Sequence, residues 1–148
     1  MRLFIDTNVL FDIFAQREPF VESAKRLLVM QAFGDAELWS APQSFLDIFY
    51  VLRKFASPNV VQERLARSTE RINICTTGHA DILAAMNLQW HDLEDATIAI
   101  CCKKTGADFL ITRDVEGFKQ LSIPALSPED FFTMLNKKHG ITYDIGDF

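Results

Sequence analysis

Residues 2 to 6, RLFID, set the first constraint on the fold. They form an apolar run too short for a helix, which ends in the polar triplet Asp6-Thr7-Asn8 before apolar residues return at once. The same pattern recurs along the chain. ELWS at 37–40, RINIC at 71–75 and DFLIT at 108–112 read as further strands, with 123–126 as a short fifth. Helices are expected between them: Val9 to Phe14 with Asn8 as cap, about Pro19 to a stop at Gly34, Pro42 through Leu52, Pro58 to about Ser68, 79–88, and Asp92 to a left-handed cap at Gly106. A last helix starts at Ser127-Pro128. Short strands alternating with helices predict an α/β fold. Its central sheet should be mostly parallel, covered on both faces and linked by right-handed crossovers.

A chain of 148 residues can build one substantial core. One domain is expected over 1–136, followed by a C-terminal tail over 137–148 with no usable periodicity. Hydrophobic residues make up 49% and charged residues 24%, a balance too apolar for intrinsic disorder. No apolar run approaches the roughly 18 residues needed to span a bilayer. Asp6 interrupts the N-terminus before a signal-peptide core could form, so a cytoplasmic protein without a membrane partner is expected. The three cysteines, Cys75, Cys101 and Cys102, show neither a disulfide framework nor a zinc spacing. A net charge of −5 argues against a broad basic surface but leaves nucleic acid open as a substrate, because acids gathered in one cluster free the cations elsewhere.

Four acids stand out by position. In open parallel sheets, sites form beyond the carboxyl ends of strands where the strand order reverses. Asp6 lies at such an end of the first strand and Asp114 just past such an end of the fourth. Asp95 shares a helical face with Ile98, Ala99 and Cys102, at the helix end where the macrodipole favours an anion. Asp47 sits in FLDIFYVL, a helix apolar nearly all round. Each acid also has a purely structural reading: a turn at Asp6, a cap at Asp92 with Asp95 in its first turn, a cap at Asp114, and an Asp47–Lys54 pair across the helix surface. Taken together, however, four converging carboxylates repel one another unless a cation neutralises them. Hard oxygen donors with no thiolate or imidazole nearby in sequence suit Mg²⁺ or Mn²⁺.

These residues also carry a family resemblance. F-I-D-T-N-V-L, S-A-P-Q-S-F-L-D-I-F-Y-V-L-R, D-L-E-D-A-T-I-A and L-I-T-R-D occur in an order and spacing that resemble the PIN-domain family of metal-dependent nucleases, to about Phe132. The resemblance implies a Rossmann-like three-layer α/β/α sandwich whose acidic pocket binds Mg²⁺ or Mn²⁺ and cleaves RNA. By position it assigns Asp6, Asp47, Asp95 and Asp114 as the four catalytic acids. Asp6, Asp95 and Asp114 would hold the principal ion, while Asp47 completes the shell or orients the attacking water. Asn8 and Thr112 match the small polar residues that support the pocket, and Asp92 is an additional member. Two departures stand out: Asp47 replaces the usual Glu, and Gly117 occupies a position where many members carry a further acid.

Arg113, Arg17 and Lys103 are the candidate phosphate contacts. The histidines His79, His91 and His139 show no metal spacing, and most of the thirteen phenylalanines are expected in the core. The resemblance further implies the toxin of a bacterial toxin-antitoxin pair, acting as a homodimer with an antitoxin partner. The competing reading is a PIN-fold scaffold that binds RNA or protein without turnover. A response-regulator-like phosphoacceptor is disfavoured, because its paired acids and lysine are not where that chemistry needs them.

Overall fold

The computed structural model describes residues 1–146. Five parallel strands form one sheet: β1 (Arg2–Ile5), β2 (Glu37–Ser40), β3 (Ile72–Ile74), β4 (Phe109–Ile111) and β5 (Ala125–Leu126), in the spatial order β3-β2-β1-β4-β5. From β1 the chain builds outward to one side through β2 and β3, then returns to place β4 on the other side. The order therefore reverses between β1 and β4.

The neighbouring strands β1 and β4 are apolar on both faces because both faces are covered. Leu3 and Ile5 of β1 turn to one core with Leu38, Ile72 and Ile111, while Phe4 and Leu110 turn to the other with Ile98, Ala99 and Phe118. The register explains the rows: Leu3 lies beside Leu38 and Phe109, and Phe4 beside Leu110. The first face carries α1 (Thr7–Ala15), α2 (Val21–Ala32), α3 (Pro42–Leu52), α4 (Pro58–Ser68) and α7 (Pro128–His139). The second carries α6 (Leu93–Lys104), packed against α5 (His79–Asn87). This is the three-layer α/β/α arrangement with a parallel sheet. No described helix is long and apolar enough to cross a membrane.

Several boundaries differ from expectation for local reasons. α1 begins at Thr7, not Val9, because Asp6 rather than Asn8 is its cap: the backbone is extended at Asp6, whose side chain accepts from Thr7 N. Asn8 turns its side chain inward instead. β5 shortens to two residues after Pro124, whose carbonyl accepts from Leu110 N at 2.9 Å. α7 runs on to His139, and beyond it Tyr143 is buried against Phe132 and bonds Asp35 at 2.8 Å. All three cysteines are buried free thiols in the second core or beside it.

One buried ion pair ties α1 to the loop after β4. Asp12 has no exposed surface, yet it accepts from Arg113 Nε at 2.7 Å and Nη2 at 3.3 Å. The Arg113 guanidinium also lies 4.2 Å from the centre of the Phe20 ring. Burial raises the Asp12 pKa, while the bonds from Arg113 pull against that rise. Removing one member of such a pair leaves the other charge uncompensated. Asp12→Ala is therefore expected to lower unfolding stability by roughly 3 kcal/mol, read as a shift in the urea midpoint. A change under about 0.5 kcal/mol would show that the pair is replaced by solvent at no cost.

Candidate active site

The reversal between β1 and β4 leaves a crevice at the carboxyl ends of both strands, and Asp6 occupies it. Asp6 N donates to Ile111 O at 3.0 Å, continuing the β1–β4 ladder by one bond. Its side chain, 5% exposed, accepts from Thr7 N at 2.7 Å, Asn8 Nδ2 at 3.0 Å and Thr112 Oγ1 at 2.7 Å. Burial raises its pKa. The bonds from Thr112 and Thr7 oppose that rise, and the nearby Asp114 adds to it.

Thr112, fully buried, is the hinge of the polar network. Its hydroxyl donates to Asp6, and the same oxygen accepts from Asp114 N at 3.0 Å. Asn8 completes the link by accepting from Arg113 N at 3.2 Å. Asn8 and Thr112 thus hold the Asp6 carboxylate and the Asp114 backbone in one frame. Asp114 turns back to accept from Gly117 N at 3.1 Å, capping the single 3₁₀ turn Glu116–Phe118.

Gly117 explains how this return is possible. A Cβ added at 117 would stand 2.5 Å from Asp114 Oδ2 and 3.1 Å from Asp95 Oδ2. The missing side chain leaves room for Asp114 to fold over the turn with its carboxylate near that of Asp95. Nothing in the sequence marked Gly117 except its departure from the family pattern.

Asp95 enters from the other core. Asp92 caps α6, its Oδ1 accepting from Glu94 N at 2.8 Å and Asp95 N at 3.1 Å, and this aims the first turn at the crevice. Burial, then the charges of Asp92, Asp6, Asp114 and Glu94, push the Asp95 pKa up to about 7. Asp92 itself is exposed and serves as the cap.

Asp47, half-buried on α3, faces the same cavity of about 300 Å³ as Asp6, Glu94 and Asp95, with Phe11, Ile48 and Val51 as its apolar wall. The surface pair with Lys54 is not formed; Lys54 Nζ instead sits 5.6 Å over the Tyr50 ring. Glu94 is a fourth acid lining this cavity, one that sequence reasoning did not assign. Its carboxylate accepts from Thr7 Oγ1 at 3.3 Å, and Thr7 Oγ1 is 2.7 Å from Ser44 Oγ. Burial, followed by the charge of Asp47, raises its pKa. Helical-face spacing pointed to Asp95 alone, because it does not register that the first turn of a helix presents adjacent residues to one crevice.

The expected phosphate contacts are not at the cavity. Arg113 is committed to Asp12 and Phe20, and Arg17 lies 3.7 Å from Asp12 with its guanidinium 5.4 Å from the Phe11 ring centre. Lys103 is exposed in the last turn of α6, eight residues or about 12 Å of helix beyond Asp95. Asp12, which holds both arginines, carries the same sequence signal as Asp47: an acid inside an apolar helix.

Among the described residues, no three acidic, imidazole or thiol groups form a ready cage for a metal. The chemistry of the donor set nonetheless fits a hard divalent ion. The cavity's polar side chains are only carboxylate, amide and hydroxyl groups, no cationic side chain lines it, and the proton affinities of Asp6, Glu94 and Asp95 are raised by burial and by neighbouring acids.

The raised pKa of Asp95 has a consequence for stability without metal. Its folded pKa of about 7 lies above the unfolded value of roughly 3.9. Its contribution is therefore fully present below about pH 4 and is lost as pH rises through about 7. Asp6 and Glu94 are raised as well and act in the same sense. In EDTA the melting temperature is expected to fall between pH 5 and pH 8, and Asp95→Asn is expected to flatten that slope. A wild-type slope of the opposite sign, or one untouched by the substitution, contradicts this account of the cluster.

A family model described as PIN domain matches residues 2–116. Ribonuclease VapC1 of Aquifex aeolicus (strain VF5) is 25% identical over 138 residues, covering 88% of this chain and 92% of that protein. Among solved structures, VapBC-1 from nontypeable Haemophilus influenzae superposes with a TM-score of 0.64 at 14% identity, over 87% of this chain and 99% of that one. A toxin-antitoxin complex from Klebsiella pneumoniae gives 0.61 at 21% identity, over 85% of this chain and 97% of the other. The family match runs from β1 through the acids of α3 and α6 to the turn after Asp114, and the chain belongs to the PIN domain family.

Proposed function

We propose that the protein is a metal-dependent endoribonuclease that hydrolyses RNA phosphodiester bonds at the Asp6 cavity. The observation that carries this reading is the convergence of Asp6, Asp47, Glu94 and Asp95 on one cavity, with Asp114 beside it, where burial and the neighbouring charges raise the pKa of Asp6, Glu94 and Asp95. The family and the similarity to Ribonuclease VapC1 support RNA as the substrate.

In this reading Asp6, Asp95 and Asp114 would hold Mg²⁺ or Mn²⁺, with Asp47 and Glu94 at the margin. When bound, the ion supplies charge neutralisation at the phosphate and activation of water. The chain's own residues do the rest. Thr7 N, Asn8 and Thr112 fix the Asp6 carboxylate, so it needs no reorganisation when substrate arrives. Gly117 N orients Asp114. Asp47, half-buried in the cavity lining, would orient water for attack on phosphorus. The P–O bond opposite the attack then breaks, and the leaving oxygen takes a proton. Phe11, Ile48 and Val51 line the apolar wall and limit water on that side.

The chain is further proposed to act as a toxin, as a homodimer and under control of an antitoxin protein. The similarity to the Klebsiella pneumoniae toxin-antitoxin complex supports this role. Co-expression that rescues growth, and co-purification with the product of a small neighbouring gene, would test it.

The activity is tested by incubating purified protein with a panel of single-stranded and structured RNAs in Mn²⁺, Mg²⁺ or EDTA, beside Asp6→Asn. Cleavage is expected only with metal and is expected to be lost in the variant. Asn remains a good helix cap and removes a buried like charge, but its Nδ2 would face the Asn8 amide where Oδ2 accepts from it, so the fold is expected to hold with a loss of about 1–2 kcal/mol. Metal-independent cleavage, or equal cleavage by the variant, would refute the assignment. No cleavage and no metal binding by calorimetry favours the scaffold reading.

Gly117→Ala gives a second handle. The new methyl displaces Asp114, so cleavage is expected to fall about tenfold or more, as for a misplaced catalytic group. The urea midpoint is expected to move little, because the turn is exposed. Full activity in Gly117→Ala would show that Asp114 need not lie where it does.

A further inference from the structure

The acidic cavity has no cation of its own to meet a polyanion. Arg113 and Arg17 are tied to Asp12, and four acids line the cavity with Asp114 beside it. An RNA held there must draw its electrostatic affinity from elsewhere on the molecule.

The cations gather at a second concavity of about 460 Å³, where the ends of α1 and α4 meet α2 and the start of β3. Lys25, Arg64, Arg67 and Arg71 line it with Ser68, and Glu70 is the only acid there. In a chain with net charge −5 this is a marked local excess of positive charge. Arg64 gives one N–H to Phe14 O at 3.1 Å, and Lys25 bonds Gln16 at 2.7 Å, so both side chains are held at the rim. Arg67 is exposed, and no ion pair or hydrogen bond of its side chain is found among the described residues.

α1 joins the two sites. Its N-terminal turn carries Thr7 and Asn8 at the acidic cavity, and its last turn, with Phe14 and Gln16, lines the basic one. α1 is nine residues or about 13 Å long, a length that a few nucleotides of single-stranded RNA can cover.

We propose that this basic concavity is a second subsite that takes a backbone phosphate of the substrate RNA, with Arg67 as its principal contact and Arg64 and Lys25 at its rim. The proposal rests on the ribonuclease reading for the identity of the polyanion. A simpler role exists for Arg67, since it lies in the last turn of α4 and complements the helix dipole there. The chemistry separates the two roles. A phosphate contact contributes to the salt dependence of binding, roughly 0.7 in the log–log slope for a single strand, whereas a dipole contact does not.

The experiment measures binding of a labelled single-stranded RNA by anisotropy, in EDTA, across a salt series, on an Asp6→Asn background so that turnover does not enter. Arg67→Gln is expected to lower the slope by about 0.7 and Arg67→Lys to restore it. Inorganic phosphate is expected to compete weakly. An unchanged slope in Arg67→Gln, with or without a lower melting temperature, overturns the proposal and leaves Arg67 as a helix-end residue. Tight binding of inorganic phosphate that depends on Arg67, without an effect on RNA, makes this a free-phosphate site and also overturns it. So does an oligoglutamate of equal charge that binds as tightly as RNA with the same dependence on Arg67, which would indicate an acidic peptide partner. Because cleavage is not read here, loss of this subsite and loss of the nuclease reading give separate results.

Discussion

The Asp6 carboxylate, buried at the carboxyl end of β1 and held by Thr7 N, Asn8 and Thr112, is the constraint on which the site depends. An acid at 5% exposure is tolerable only if its oxygens are bonded, and those bonds come from the residues that follow it and from the end of β4. The two central strands are therefore locked at the point where the sheet order reverses. Asp114 and the first turn of α6 are placed by the same arrangement, so the cluster follows from the topology plus one satisfied buried carboxylate.

Charge is partitioned accordingly. Asp12 takes Arg113 and Arg17 out of play from within α1, one helical turn below the cavity. With both guanidinium groups held at Asp12, no cationic side chain lines the cavity. The buried ion pair thus supports the cavity indirectly, by keeping it purely anionic. Four other cations, Lys25, Arg64, Arg67 and Arg71, line a concavity at the far end of α1, where the chain's acidic excess is locally reversed.

The departures at 47 and 117 have different weights in this geometry. Asp47 is on the cavity despite its short side chain, because α3 packs directly against α1 and presents it beside Ile48 and Val51. Gly117 leaves space, and that space is filled by Asp114 from three residues earlier. A missing side chain here shapes the site as much as a present one.

Much was legible in the sequence because much was local or periodic. Short strands alternating with helices predicted a mostly parallel sheet covered on both faces. The acids at strand ends and in apolar helices were visible as violations of those patterns, and Asp6, Asp47 and Asp95 do share one cavity. What the sequence could not decide was which polar groups pair across long separations. Asp12 with Arg113, separated by 101 positions, turned an expected phosphate contact into a core ion pair. Thr7 with Glu94, separated by 87, brought in an acid that helical spacing passed over. The cap moved from Asn8 to Asp6 because Asn8 had a partner in Thr112, 104 positions away. Periodicity reports which face of an element is buried. Only the tertiary structure decides what each buried polar atom meets there, because every such atom takes the partner that the packing of distant elements puts within about 3 Å.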